Sequence, residues 1–136
     1  MNHARNLQYA TIETPHGLRT ILNFHGLWNG GGKGDSPERL VQSENLAKFL
    51  KNISHHHVLM GDFNLEPDTK SLKMLEELGM RNLISEFGIT STRSSHYKKP
   101  IRLADYTLIS KDIKVNDFKV LPDEISDHLA MYLDFE

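Results

Sequence analysis

The sequence predicts a mixed α/β (α+β) chain in which helices cover a layer of β-sheet. Three observations carry this expectation: two β-rich runs flank a turn near the N-terminus, two capped segments with helical apolar spacing follow, and further strand-like runs lie between and after them. With 136 residues, 38% of them apolar, the chain has the material for one modest core, so we expect a single domain over residues 1–136.

Residues 7–13 and 18–24 are rich in Tyr, Thr, Ile and Leu and enclose Thr14-Pro15-His16-Gly17, so they read as a hairpin that delivers His25. The run from Asn29 to Gly34 is too glycine-rich for strand or helix. It lacks the spacing and terminal Lys-Ser/Thr of a phosphate-cradling loop, and reads as a flexible connection. Ser36 before Pro37 supplies an N-cap with proline in the first turn, and Leu40, Leu46, Ala47, Leu50 and Ile53 recur on one face of the helix that follows. His55-His56-His57 then leads into Val58-Leu59-Met60. Neighbouring side chains of an extended segment alternate faces, so three rings do not converge on one ion and a solvated turn is the better reading. Asp68 is placed to cap a second helix through Leu72, Leu75 and Leu78, which Gly79 would end. Residues 89–93, 103–109, 113–121 and 129–135 supply the remaining strand-like runs.

Composition narrows the chemistry. There is no cysteine, so any metal must be held by oxygen or imidazole, and disulfides are excluded. The opening residues lack the apolar core of a secretion signal and no stretch approaches bilayer length, so we expect a cytoplasmic protein without a membrane span. A net charge of −2 argues against a broad basic surface gripping long nucleic acid, while short or small phosphorylated ligands stay open.

Gly61-Asp62-Phe63-Asn64 follows the apolar run 58–60. In an extended strand, residues two apart share a face, so Asp62 and Asn64 would project together into a cleft at the strand's end. One can orient a water and the other a phosphate oxygen; an Asp/Asn turn after a buried strand would also account for this motif on its own. Three further motifs complete an ordered set, with Phe24-His25 upstream and Ala104-Asp105-Tyr106 and Ser126-Asp127-His128 downstream.

From about Asn23 to the C-terminus this set resembles the endonuclease/exonuclease/phosphatase superfamily, which includes DNase I-like nucleases, abasic-site endonucleases, sphingomyelinases, inositol polyphosphate phosphatases and deadenylases. The resemblance implies the C-terminal half of a four-layer α/β/β/α DNase I-like sandwich, a partial domain without the family's N-terminal portion. It also implies divalent-metal-dependent hydrolysis of phosphodiester or phosphomonoester bonds. Asp62 would orient or deprotonate the attacking water and Asn64 would hold that water or the phosphate. His128 would bind a phosphate oxygen or act as base partner, His25 would assist at the phosphate, and Asp105 would orient a neighbouring histidine or water. Asp127, with Asp62 and Asn64, would hold Mg²⁺ or Mn²⁺, hard ions suited to carboxylate oxygen.

Arg93, His96, Lys98, Lys99 and Arg102, with Tyr97 interleaved, form a polar segment whose cations and ring could meet phosphate and base. We carry Arg93, His96 and Lys98 as candidate substrate contacts beside the alternative of a solvated loop, and Trp28 with its glycine loop has the same status. The family's upstream asparagine and glutamate have no match, because Asn2, Asn6 and Glu13 lie in the wrong context. A weaker metal site and an exposed apolar sheet face are therefore expected, and with them a homodimer or a partner supplying the missing half. The alternative function is a non-catalytic phosphate or nucleic-acid binding module, or a subunit completed by a partner chain. No motif selects the phosphorylated substrate.

Overall fold

The computed structural model describes residues 5–136, and Asn2 lies outside them. β1 (Leu7–Thr14) and β2 (Gly17–Phe24) pair antiparallel, from Leu7 opposite Phe24 to Thr14 opposite Gly17. The turn needs Gly17 at φ +99°, and the Thr14 hydroxyl fastens it by donating to the Gly17 carbonyl at 2.7 Å. α1 (Pro37–Lys51) starts at Ser36, whose hydroxyl accepts from the Arg39 amide at 3.3 Å. β3 (His56–Asp62) then returns parallel to β2. α2 (Lys70–Glu76), β4 (Met80–Asn82) and α3 (Leu83–Glu86) precede β5 (Asp105–Ser110), which pairs antiparallel with both β3 and β4. The resulting sheet has the order β1-β2-β3-β5-β4. β6 (Val115–Val120) and β7 (Met131–Phe135) form a separate two-stranded antiparallel sheet.

Register divides the five-stranded sheet into two faces. Tyr9, Leu22, Leu59 and Leu108 are successive partners across four strands, and the Tyr9 ring meets Phe49 of α1 edge-on at 5.3 Å, so α1 covers this face. Val58, Ile109 and Thr107 point the other way, where Met131 of β7 lies 3.6 Å from the Thr107 hydroxyl. Leu22, Val58, Leu59, Leu72, Leu75, Leu108 and Ile109 are all fully buried. Each contributes on the order of 1.5–3 kcal/mol by leaving water.

Several local expectations need correction. Thr69, not Asp68, caps α2: its hydroxyl accepts from the Leu72 amide, while the free amides of Lys70 and Ser71 donate to the distant Asp35 carboxylate at 2.8 and 3.0 Å. α2 ends at Glu76, and Gly79 at φ +85° makes the later reversal into β4. The histidine triplet is not a free turn, because His56 and His57 open β3 and the His57 amide donates to the Ser110 hydroxyl at 2.9 Å. Residues 89–93 form no strand: Thr92 donates to the Arg102 carbonyl and accepts from the Leu129 amide, and Arg93 makes one isolated bridge to His128. The glycine-rich run is a loop, yet a tethered one. The buried Arg39 guanidinium donates to the carbonyls of Leu27, Gly32 and Gly34 at 3.2, 2.6 and 2.6 Å.

Candidate active site

Because β2 and β3 run parallel, their C-terminal ends emerge side by side, and two glycines let them touch. The Gly26 amide donates to the Asp62 carbonyl at 2.7 Å. A Cβ on Gly26 would sit 2.0 Å from the Phe63 carbonyl oxygen, and one on Gly61, at φ +136°, would sit 2.0 Å from that of Phe24. No side chain fits at either point, so the close approach that sets His25 beside the 62–64 turn depends on both glycines. His25 is exposed there, with Arg5 Nη1 at 3.0 and 3.2 Å from its ring nitrogens.

Asp62 and Asn64 do come together, though not as alternate residues of an extended strand. β3 ends at Asp62, and Asn64 adopts the left-handed conformation at φ +54°, which asparagine tolerates better than most residues. Its amide N–H donates to Asp62 Oδ1 at 2.9 Å and its side-chain Nδ2 donates to the Gly26 carbonyl at 3.2 Å.

Asp105 is the register partner of Asp62 across β3 and β5, so two carboxylates face each other on one side of the sheet, an unfavourable pairing by itself. The surroundings offset it. Asp105 accepts from the Thr92 hydroxyl at 2.5 Å and from His128 Nδ1 at 2.7 Å, and Arg93 Nε lies 3.9 Å away. His128 Nε2 is 3.7 Å from Asp62 Oδ2 and abuts Arg93 Nη1. Asp127 is more exposed and reaches the same guanidinium at 3.3 Å. Burial, and then the charge of Asp105, push the Asp62 carboxyl above its ordinary range. The hydrogen bond to Asp105 raises His128 against the opposing effect of burial.

A cleft of about 310 Å³ opens beside these groups, with Asp105 and Asp127 outside its lining. Its walls include His25, Asp62, Asn64, Arg93 and His128, whereas neither of the larger hollows, about 410 and 550 Å³, holds any of them. His96 and Lys98 lie outside this lining: His96 is exposed near Glu124 at 3.9 Å, and Lys98 donates to the Ser95 carbonyl at 2.7 Å. The neighbouring Tyr97 and Lys99 line the cleft instead, with Arg5, Lys33 and Trp28. Of these, Lys33 carried a readable signal, a single cation inside a glycine run; Arg5 carried none. Thr92 and Gly26, which hold Asp105 and the strand ends, also escape sequence reading because their roles depend on partners far along the chain.

Asp62, Asp105 and His128 form a candidate metal cluster, with one ligand atom from each within 4.8 Å of the others. Asp105 and His128 already bond each other, so Asp62 is the carboxylate with most to gain from a cation: it is partly buried, raised in pKa and opposed to a like charge. The two carboxylates of this cluster suit a hard divalent ion, whereas Asp127, expected among the ligands, is not part of it and pairs with Arg93 at 3.3 Å.

The model of the endonuclease/exonuclease/phosphatase family matches residues 4–128. Comparison with curated proteins finds no match. Among solved structures, an endonuclease/exonuclease/phosphatase from Beutenbergia cavernae superposes with a TM-score of 0.68 at 21% identity, covering 96% of this chain and 39% of that one. The human Nocturnin catalytic domain with bound sulfate gives 0.63 at 20% identity, covering 97% and 52%. D. rerio TDP2 complexed with a single-strand DNA product gives 0.69 at 16% identity, covering 97% and 62%. These likenesses establish the fold, that of DNase I-like domains covered only in part. The chain spans between 39% and 62% of the length of these three structures.

Proposed function

The chain belongs to the endonuclease/exonuclease/phosphatase family, and from that premise we propose that it hydrolyses a phosphoester at the cleft lined by Asp62, Asn64 and His128, with Asp105 behind His128. The observation that carries this reading is the 2.7 Å bond from His128 Nδ1 to Asp105, which turns the ring's other nitrogen toward Asp62 at 3.7 Å. Asp62, raised in pKa, accepts a proton from the water whose oxygen attacks phosphorus. The bond from phosphorus to the leaving oxygen breaks, and solvent protonates that oxygen. Asn64 holds the attacking water or the phosphate, and His25 and Arg93 donate to phosphoryl oxygens. His128 binds the phosphate or acts as base partner through Nε2, the nitrogen that Arg93 Nη1 abuts, and Asp105 keeps that ring oriented. Mg²⁺ or Mn²⁺ held by Asp62, Asn64 and Asp127 would supply Lewis-acid polarisation of the phosphoryl oxygen, worth several kcal/mol. We assign residues 1–136 to one partial domain. Among the described residues no helix is long and apolar enough to cross a membrane, and the cysteine-free sequence agrees with the cytoplasmic location we propose.

The test is hydrolysis of bis(p-nitrophenyl) phosphate by the purified chain with Mg²⁺ or Mn²⁺. Turnover should vanish with EDTA and in Asp127→Ala. In Asp105→Asn it should fall roughly 10²–10⁴-fold, with the protein still folded. Turnover unaffected by all three changes would sink the reading.

A second reading is favoured by the partial coverage of the solved structures: the chain is a binding module or subunit whose cleft is completed by a second copy or by a chain supplying the absent half. It predicts phosphate binding without turnover by the folded chain alone, and self-association in sedimentation velocity.

A further inference from the structure

The cleft does not end at the proposed phosphate position. It continues into a second cavity of about 220 Å³ walled by Trp28, Lys33, Tyr97, Lys99, Pro100 and Ile101, and the first four of these also line the cleft. The Trp28 and Tyr97 rings, with Pro100 and Ile101, make half of the lining, Gly30 and Gly32 leave room between them, and the two lysines stand at the junction. Lys33 is only 5% exposed, yet no carboxylate lies within 4.0 Å of it or of Lys99 among the described residues. Its ammonium donates to the Tyr97 hydroxyl at 2.9 Å and sits 4.9 Å from that ring's centroid, while Arg93 lies 4.6 Å from the same ring and Lys99 5.6 Å from the Trp28 ring.

A buried ammonium facing a cavity without a counter-ion is costly, and an incoming anion relieves the cost. Rings polarised by cations and set around an apolar hollow favour a flat π-system. We propose that this cavity is a specificity subsite for a planar aromatic group attached to the phosphate of the substrate, with Lys33 and Lys99 neutralising that phosphate at the junction. The assignment rests on the phosphoester reading of the centre and narrows its substrate class. Drug-sized ligands occupy roughly 300–1,000 Å³, so this hollow holds one ring system and not a run of stacked bases. A net charge of −2 also argues against a broad basic surface for a long polymer. The ligand is therefore a small phosphoester carrying a single ring, whether a nucleobase or a simple aryl group.

Trp28 is the sole tryptophan, so its emission reports occupancy of the subsite directly. The full chain is titrated in turn with AMP, phenyl phosphate, ribose 5-phosphate and inorganic phosphate, with affinities measured in parallel by calorimetry. We expect AMP, phenyl phosphate or both to quench Trp28 and to bind roughly tenfold more tightly than ribose 5-phosphate, the scale of one stacked ring. AMP alone would identify a nucleobase; both would identify any flat ring. Lys33→Met should weaken all phosphorylated ligands alike. Ile101→Asp, at a site exposed enough to accept a polar side chain, should bring AMP and phenyl phosphate down to the level of ribose 5-phosphate while leaving inorganic phosphate unchanged. If Ile101→Asp does not fold, Trp28→Leu followed by calorimetry gives the same comparison. Equal affinity for AMP, phenyl phosphate and ribose 5-phosphate in the unaltered chain overturns the subsite and leaves the phosphate centre standing. Failure of every phosphorylated ligand to bind the folded chain overturns both.

Discussion

The central strands of the five-stranded sheet and its edge strand β1 are covered unequally. On one face, α1 and α2 close over Leu22, Leu59 and Leu108, all fully buried. On the other, Val58 and Ile109 of the central strands are fully buried and Met131 of β7 reaches Thr107, whereas the edge strand β1 is open on both faces, with Ile12 44% exposed on this one and Tyr9 61% on the helix side. Asp62 and Asp105 lie on this second face, in register with the strands that are covered. The acidic side of the site is therefore built on packed structure, with Asp105 held by Thr92 and His128. His25, just past the end of β2, is exposed in the cleft, and among the described residues its ring hydrogen-bonds Arg5. Half of the centre is supported from within this chain, and the other half faces outward.

The largest effect that would break this comparison is in the core. Leu59→Ala removes a fully buried side chain from the helix-covered face and should cost about 2–5 kcal/mol in urea unfolding. Ile12→Ala, on the exposed edge strand β1, should stay within about 0.5 kcal/mol. Similar losses for both would mean that the edge strand is as well packed as the centre.

A smaller effect concerns association. If a second copy covers β1 and β2, a charge at Ile12 opposes that contact, because burying an unpaired carboxylate is costly. Ile12→Glu should then raise the monomer fraction in sedimentation velocity at high concentration, with no change in the far-UV spectrum. An unaltered distribution in a self-associating protein would move the contact to another surface.

This unevenness also decides what the sequence could reveal. The hairpin, α1 and the central strand were legible because each is specified locally, by Gly17 at a turn, by Ser36-Pro37 at a cap and by an apolar run ending in Gly61. β4 and α3, at three and four residues, are too short for apolar period to register. The α2 boundary was misplaced because Asp35, 35 residues upstream of Lys70, takes the amides that Asp68 was expected to serve. The motifs containing Asp62, Asn64, Asp105 and His128 were visible as an ordered set, but their mutual geometry was not. Asp62 and Asn64 meet through a left-handed turn, and the separation of Asp62 from Asp105 is set by strand register. Arg93, a candidate substrate contact, does line the cleft, but its burial against His128 and Asp127 was not legible, because that contact joins segments more than thirty residues apart.

The smallest predicted effect sharpens the comparison from the covered side. Asp35 precedes α1 and accepts from the Lys70 amide, the Ser71 amide and the Ser71 hydroxyl at 2.8, 3.0 and 2.7 Å, joining the two helices on the closed face. Burial pushes its carboxyl upward, but the hydrogen bonds from Ser71 and Lys70 outweigh burial and leave it below the ordinary Asp value. A carboxyl lowered on folding stabilises the protein at pH values above its unfolded pKa, about 3.9, and that contribution disappears as pH falls through the folded value. Asp35→Asn should therefore lower Tm at about pH 7, and the difference from the unaltered chain should close as the solution is acidified below about pH 3.9. A difference that persists unchanged into that range would assign the role of Asp35 to hydrogen-bond geometry alone, with its charge contributing nothing to the joint between α1 and α2.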